Sequence, residues 1–247
     1  ELKEQNPDAQ ITIVRDKGPH GNWPFFGKPV WVHNPYVTLN PDKDKKIIPV
    51  TNVKGRRPYY DHERIKREKL DIKDKHYFNV NFSPPTGDIF FSDNEKEKIR
   101  ELKKMYGDYI FLNSTTKKTV SSDNRDWGLE RWKKLAEILQ ADNIRIVQTR
   151  SSTVRAKRAG VGKGDRIGIK EAETPEFRDL CMFVAAVKGV VTSEGGVNHL
   201  AAALDKKTVS IFGGRVQPSI LGYKQHTNLY VDIDGSPCWR NSSCEHC

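Results

Sequence analysis

Between residues 109 and 212, short apolar runs alternate with helical patterns. That alternation constrains the fold more than any other feature of the chain. The runs are YIFLN (109–113), IRIVQ (144–148), GVVT (189–192) and TVSIF (208–212). They are too short for buried helices and rich in β-branched and aromatic residues, so they read as buried strands. Leu129, Trp132, Leu135, Ala136 and Leu139 mark an amphipathic helix between the first two runs. Residues 175–187 and 196–204 supply two more helices. A fourth precedes the series: Ser92 and Glu95 have capping-box spacing, Ile99, Leu102 and Met105 follow at helical intervals, and Gly107 ends the pattern. Strands that alternate with helices at this spacing form parallel βαβ units in a doubly wound α/β sheet.

Before residue 90 the pattern is coarser. Residues 11–16, 29–37, 45–50 and 78–82 read as strands, separated by turns that contain Gly and Pro. Residues 56–77 are dense in charge and read as an exposed helix plus loop. The Pro-Pro-Thr-Gly-Asp run at 84–88 lies where the pattern changes. The expected division is an N-terminal unit over 1–90 and a C-terminal unit over 91–247.

The 42 basic and 32 acidic residues leave a net charge of +10. Such an excess favours anionic partners: nucleotides, phosphorylated glycans, membrane head groups or nucleic acid. No apolar run is long enough to span a bilayer as a helix. Only Cys181 among the four cysteines precedes residue 238, which fits a reducing cytoplasm better than a disulfide scaffold. The first residue is Glu1, not Met, so a processed N-terminus or a longer parent protein is expected.

The chemistry concentrates where the third of these runs ends. Ser193-Glu194-Gly195-Gly196 follows GVVT and opens a short apolar helix with His199 in its first turn. Ligands of open parallel sheets bind beyond the carboxyl ends of the strands. A helix N-terminus offers N–H groups and partial positive charge to a phosphate, and glycines let the backbone approach it. His199 can donate to a phosphate oxygen. Glu194 would repel a phosphate, but it can accept from a ribose hydroxyl. The alternative is a tight turn with a capping glutamate and a half-buried histidine.

The stretch TSEGGVNHLAAALDKKTVSIFGG (192–214) resembles the donor-site signature of the heptosyltransferases, glycosyltransferase family nine. Residues 109–139 are similar to that family's strand, Thr- and Lys-bearing loop and Trp-x4-Trp helix. Residues 2–14 look like its second N-terminal strand and the helix end before it. SPCWRNSSCEHC (236–247) is similar to a Cys-containing segment found late in many members. The resemblance implies the GT-B architecture: two Rossmann-like domains, the C-terminal one binding a nucleoside-diphosphate sugar. It puts Thr115, Thr116 and Lys118 near the donor phosphates, with Lys117 an equal candidate. Arg150 joins them from the basic loop 149–160, and Glu194, Gly195, Gly196 and His199 hold the nucleotide diphosphate. No cofactor is required, because Lys, Arg, His and backbone N–H groups can stabilise the leaving diphosphate.

Three departures from the family qualify the resemblance. Glu194 stands where the family usually has Asp. The 149–160 loop has four basic residues and no acid, which favours an anionic ligand over the usual adenosine contact. The resemblance begins after the family's first strand and glycine-rich loop, so nothing here matches the Asp proposed there as general base. Two rivals stand beside the transferase reading. One is a non-catalytic protein that binds nucleotide or nucleic acid. The other is a transferase acting on modified DNA or protein rather than on a lipid-linked glycan. Near the end of the chain, Cys238, Cys244, His246 and Cys247 have ligand types and spacing suited to Zn or Fe, with free thiols as the alternative. Trp23, Phe25, Phe26 and Trp31 cluster with Lys28 and His33, either as a core edge or as a stacking surface.

Overall fold

The computed structural model describes residues 2–14, 28–38, 40–51, 59–70, 77–114, 123–150 and 166–238. In chain order the elements begin with α1 (Leu2–Gln5), β1 (Gln10–Val14), α2 (Lys28–Trp31), β2 (Ile47–Thr51), α3 (His62–Arg67), α4 (Asp93–Tyr106) and β3 (Ile110–Asn113). A 3-10 turn at Asp123–Arg125 then leads to α5 (Leu129–Ala141), β4 (Ile146–Arg150) and β5 (Glu171–Glu173). The series closes with α6 (Phe177–Ala186), β6 (Gly189–Ser193), α7 (Gly196–Ala203), β7 (Thr208–Ile211), α8 (Pro218–Leu221) and β8 (Thr227–Leu229).

The strands form two sheets, both parallel. β1 pairs with β2 in register Gln10 to Ile47 through Val14 to Thr51. The second sheet has six strands in the order β5-β4-β3-β6-β7-β8. Its order runs outward in both directions from the β3–β6 pair, so the winding reverses there. Side chains alternate across this sheet as the pleat requires. Phe111, Val147 and Val190 face α6 and α7, packing with Cys181, Phe183, Val184, Leu200 and Ala201. Leu112 and Ile146 face the other way, onto Trp132 and Ala136 of α5. Helices on both faces explain why these strands read as continuous apolar runs. A third cluster joins Tyr60 and Phe78 to Phe212, Val216, Ile220 and Leu221. Among the described residues, no helix is long and apolar enough to cross a membrane.

The doubly wound expectation holds, and the helices at 93, 129, 177 and 196 start within two residues of where the pattern put them. The N-terminal expectations fare less well. Residues 29–37 are not a strand: α2 occupies their start and turns follow. Asn34 Oδ1 accepts from the Tyr36 N–H at 2.8 Å, and His33 has φ +62. This Asn-Pro turn chemistry outcompetes the β-branched content of the segment. Residues 78–82 are likewise no strand beyond one antiparallel bridge, Tyr60 to Phe78. Asn79 Oδ1 accepts from the Asn81 N–H at 3.0 Å and turns the chain. Within 56–77 the described helix is α3, capped by Asp61 accepting from the Arg64 N–H. Sequence reasoning missed β5, β8 and α8. At three or four residues each they are too short to carry a period, and β5 reads Glu-Ala-Glu.

Candidate functional site

The site lies where the winding reverses. β3 and β6 are neighbours there, and Asn113 Nδ2 donates to Thr192 Oγ1 at 2.9 Å. In a doubly wound sheet this crevice is where ligands bind. β6 ends at Ser193, the Glu194 N–H donates to Ile211 O at 2.8 Å, and α7 begins at Gly196. Among the described residues, no side chain caps the N-terminus of α7.

Among the described residues, nothing explains the two glycines. Gly195 has φ 160, extended backbone open to any residue, and Gly196 is helical. A Cβ at either position would meet no described atom within 4 Å. Neither backbone strain nor packing against the described residues demands glycine there.

Glu194 is 5% exposed and sits between two guanidinium groups. Arg125 Nε, from the 3-10 turn, is 3.8 Å from its Oε2; Arg215 Nη1, after β7, is 3.6 Å from its Oε1. Both arginines are largely buried. Burial lowers the Arg125 pKa; Glu194 pulls it back up, and Arg215 adds to the lowering. Two cations on one carboxylate leave a cluster of net charge +1. The contact distances are too long for hydrogen bonds, and among the described residues Glu194 Oε2 and Arg215 Nε have no hydrogen-bond partner. Gly213 lets the 3-10 turn lie this close: a Cβ there would be 2.3 Å from Asn124 O and 3.0 Å from the Arg125 Cα.

His199 lies in the first turn of α7, and its Nδ1 is 2.8 Å from the Tyr223 hydroxyl. The residue reaches solvent, yet the elements around the ring desolvate it. That desolvation lowers its pKa from the ordinary histidine value against the opposing pull of Glu194.

Glu194, Gly195, Gly196 and His199 thus come together at one strand end. Arg150 stands two strands away from β6. It ends β4 and pairs with Glu173 and Glu171 of the edge strand β5, so its charge is already engaged by acids two residues apart. Thr115, Thr116, Lys117 and Lys118 lie outside the described residues, as do Trp23, Phe25, Phe26, Cys244, His246 and Cys247. Cys238 returns to the site's edge: its N–H donates to Gly214 O at 2.7 Å, and its Sγ is 3.3 Å from Asn124 Nδ2. Among the described residues, no three His, Cys, Asp or Glu side chains are grouped to hold a metal.

Sequence reasoning missed Arg125, Arg215 and Tyr223. A signal existed for the arginines. A carboxylate at a buried strand end needs counter-charge from the neighbouring strand ends, and Arg215 directly follows the Gly213-Gly214 pair that ends the next run. Tyr223 had no signal, because α8, which leads into it, has no readable period. An apolar cavity of about 780 Å³ adjoins Asn124 and Gly213, on the α5 side of the sheet, with Trp127, Leu135 and Ile211 in its wall.

Comparison with known proteins follows from this geometry. The family model for glycosyltransferase family 9 (heptosyltransferase) matches residues 66–247, more than half of the chain. Lipopolysaccharide heptosyltransferase 1 of Escherichia coli K12 is 28% identical over 120 residues, which is 47% of this chain and 35% of that enzyme. The chain therefore spans about a third of the length of the curated relatives it matches. Among solved structures, E. coli heptosyltransferase WaaC with ADP is 23% identical, with TM-score 0.42, over 59% of this chain and 44% of that one. The dodecameric iron-containing heptosyltransferase TibC in complex with ADP-D-beta-D-heptose is 11% identical, with TM-score 0.48, over 94% and 65%.

Proposed function

Because the chain belongs to glycosyltransferase family 9, we propose that it transfers a heptose-like sugar or a hexose from a nucleoside-diphosphate donor to a glycan acceptor of the lipopolysaccharide-core type. One observation carries the donor half. Gly195 and Gly196, which no described neighbour requires as glycines, open a helix N-terminus close to the guanidinium groups of Arg125 and Arg215. Backbone N–H groups with no Cβ in the way, and cations nearby, are what a diphosphate requires.

The reaction is a displacement with inversion. An acceptor hydroxyl attacks the anomeric carbon, the bond from that carbon to the diphosphate oxygen breaks, and the electron pair leaves with the diphosphate. Arg125, His199 and the α7 N–H groups stabilise that charge as it develops. Thr115, Thr116 and Lys118 belong to the same reading, and Glu194 accepts from a donor hydroxyl. No residue is nominated as general base. The division into an acceptor side (1–90) and a nucleotide side (91–247) belongs to the same proposal. So does a cytoplasmic location with peripheral contact to an anionic membrane face. Zn or Fe at Cys238, Cys244 and Cys247 is a separable part of it: thiolates suit either metal, and metal analysis of the purified chain decides it.

The test is thermal-shift screening against nucleoside diphosphates and their sugars. ADP and ADP-heptose come first, because those are the molecules named with WaaC and TibC. At a hundredfold excess over Kd, stabilisation of about 2.7 kcal/mol is expected, and it should vanish in the Glu194→Ala/His199→Ala variant. No shift with any member sinks the donor site. Binding without sugar transfer would favour the non-catalytic rival.

A further inference from the structure

Three side-chain contacts strap α7 to the turn between α8 and β8. Asn198, fully buried, donates from Nδ2 to Leu221 O at 3.5 Å, and its Oδ1 accepts from His226 Nδ1 at 2.8 Å. The third contact is His199 to Tyr223. The turn itself is held from β8: Asn228 Nδ2 donates to Tyr223 O at 2.9 Å and to His226 O at 3.3 Å. Tyr223 is 6% exposed, and its ring meets the imidazole of His199 edge-on, at 5.7 Å and 79°. The phenol and the imidazole are therefore fixed by elements on both sides, not by each other alone.

The direction of the hydrogen bond follows from the number of available acceptors. Among the described residues, His199 Nδ1 is the partner of the Tyr223 hydroxyl. If Nδ1 carried a proton and donated, the buried phenol proton would be left without an acceptor, at a cost that buried donors avoid. If the phenol donates, both groups are satisfied. Burial also raises the Tyr223 pKa, so the phenol keeps its proton.

We propose that Tyr223 is a positioning residue for His199: its hydroxyl donates to Nδ1, fixes the imidazole as the Nε2–H tautomer, and so presents a neutral N–H donor to a diphosphate oxygen. This deepens the donor-site reading above and rests on it. The logic is that of a histidine whose second nitrogen is set by a hydrogen bond to the first. Among the described residues, the charged and titratable groups facing His199 besides Tyr223 are Glu194, which favours protonation, and His226, which does not. His226 is lowered by burial and by His199, with Asp205 opposing. A donor that needs no protonation keeps its function as pH rises through neutrality.

The experiment uses the whole 247-residue chain with 15N-labelled histidine. Imidazole nitrogen shifts report the tautomer without any ligand. The expected wild-type spectrum shows His199 protonated at Nε2 and unprotonated at Nδ1, and Tyr223→Phe shows a mixture of tautomers. His226, held by Asn198, should keep its Nδ1–H signal in both, which reports that the turn is still folded. In parallel, affinity for ADP, UDP and GDP is measured from pH 6 to 8.5. Wild type should bind with little pH dependence. Tyr223→Phe should bind about fivefold more weakly at pH 8 and recover towards pH 6, as loss of one hydrogen bond implies. In a His199→Gln background, Tyr223→Phe should have no further effect. A wild-type Nδ1–H tautomer overturns the proposal. So does a Tyr223→Phe chain with mixed tautomers and the wild-type pH profile. A wild-type chain that binds none of the three diphosphates sinks the donor-site reading, and with it the role given to Nε2–H, while the tautomer result still stands for the Tyr–His bond.

Discussion

Two carboxylates in this molecule meet arginines in opposite ways. Glu95, in the first turn of α4, is saturated. Its oxygens accept from Arg178 Nε at 2.8 Å, from Arg178 Nη2 at 2.7 Å and from the Ser92 N–H at 2.9 Å. His33 Nε2 stands 3.5 Å away. Arg178 spends its remaining donor capacity on Pro29 O and Phe90 O. Glu194 is more deeply buried, yet both of its arginines stop at 3.6 and 3.8 Å, and among the described residues Glu194 Oε2 and Arg215 Nε have no hydrogen-bond partner. A saturated knot is what structure requires. An unsaturated one is what a ligand completes.

The largest expected effect breaks the saturated knot. Arg178→Ala removes the Glu95 pairing and strips Pro29 O and Phe90 O of their donor. A loss of about 3 kcal/mol in urea unfolding is expected, the lower end of the range for a broken buried pair because both side chains keep some solvent contact. A loss under about 1 kcal/mol would mean the knot is no stronger than a surface pair, and the contrast with Glu194 would lapse.

Acid sharpens the same contrast. The hydrogen bond from Arg178 lowers the Glu95 pKa most; burial pushes it back up, and the Ser92 N–H and the charges of Arg178 and His33 add to the lowering, which takes it from 4.5 to about 2. A depressed carboxylate pKa contributes stability that is present above pH 4.5 and is lost as pH falls towards 2. Allowing for solvent screening, the loss attributable to Glu95 is about 1 to 2 kcal/mol. It is read as the difference in acid slope between wild type and Glu95→Gln. Parallel slopes would show that the pairing does not hold the proton off.

The difference between these regions also marks what could be read beforehand. The Ser92–Glu95 spacing announced a capping box because both partners are local, three residues apart. Arg178 comes from 83 residues away, and no period carries that information. The sheet was legible where both faces are buried, since β3, β4, β6 and β7 then carry apolar residues on both faces. It was illegible at β5 and β8, which are edge strands of three residues. At the site, Glu194, Gly195, Gly196 and His199 were readable as one contiguous turn. Arg125, Arg215 and Tyr223 arrive from other loops, and only the fold assembles them.

A smaller effect probes the unsaturated cluster. In Glu194→Gln the cluster charge rises from +1 to +2. Inorganic pyrophosphate should then bind several-fold tighter, about 1 kcal/mol, because a repelling charge several ångströms away is gone. The preference for a nucleoside diphosphate over pyrophosphate should shrink, because the ribose contact is weakened. Calorimetry with both ligands measures the two changes. Abolished pyrophosphate binding would show instead that Glu194 holds the arginines in place and that its charge does not tune them.

The smallest expected effect is at Arg150, and its smallness is informative. Sequence reasoning put Arg150 among the donor ligands because it heads a basic loop. In the structure it is 41% exposed and paired with Glu171 and Glu173, and Glu173 is the main reason its pKa is raised. Exposed pairs of this kind are screened by solvent and add little to stability. Arg150→Ala should therefore leave stability and ADP affinity essentially unaltered, whereas Arg125→Ala should weaken that affinity by about tenfold, the effect of one charged hydrogen bond. Each variant removes one guanidinium, Arg150 from the end of β4 and Arg125 from the 3-10 turn, so the pair isolates position from charge. Equal losses in both would mean that bulk positive potential attracts the nucleotide. A loss confined to Arg125 would mean that the cluster around Glu194 binds it.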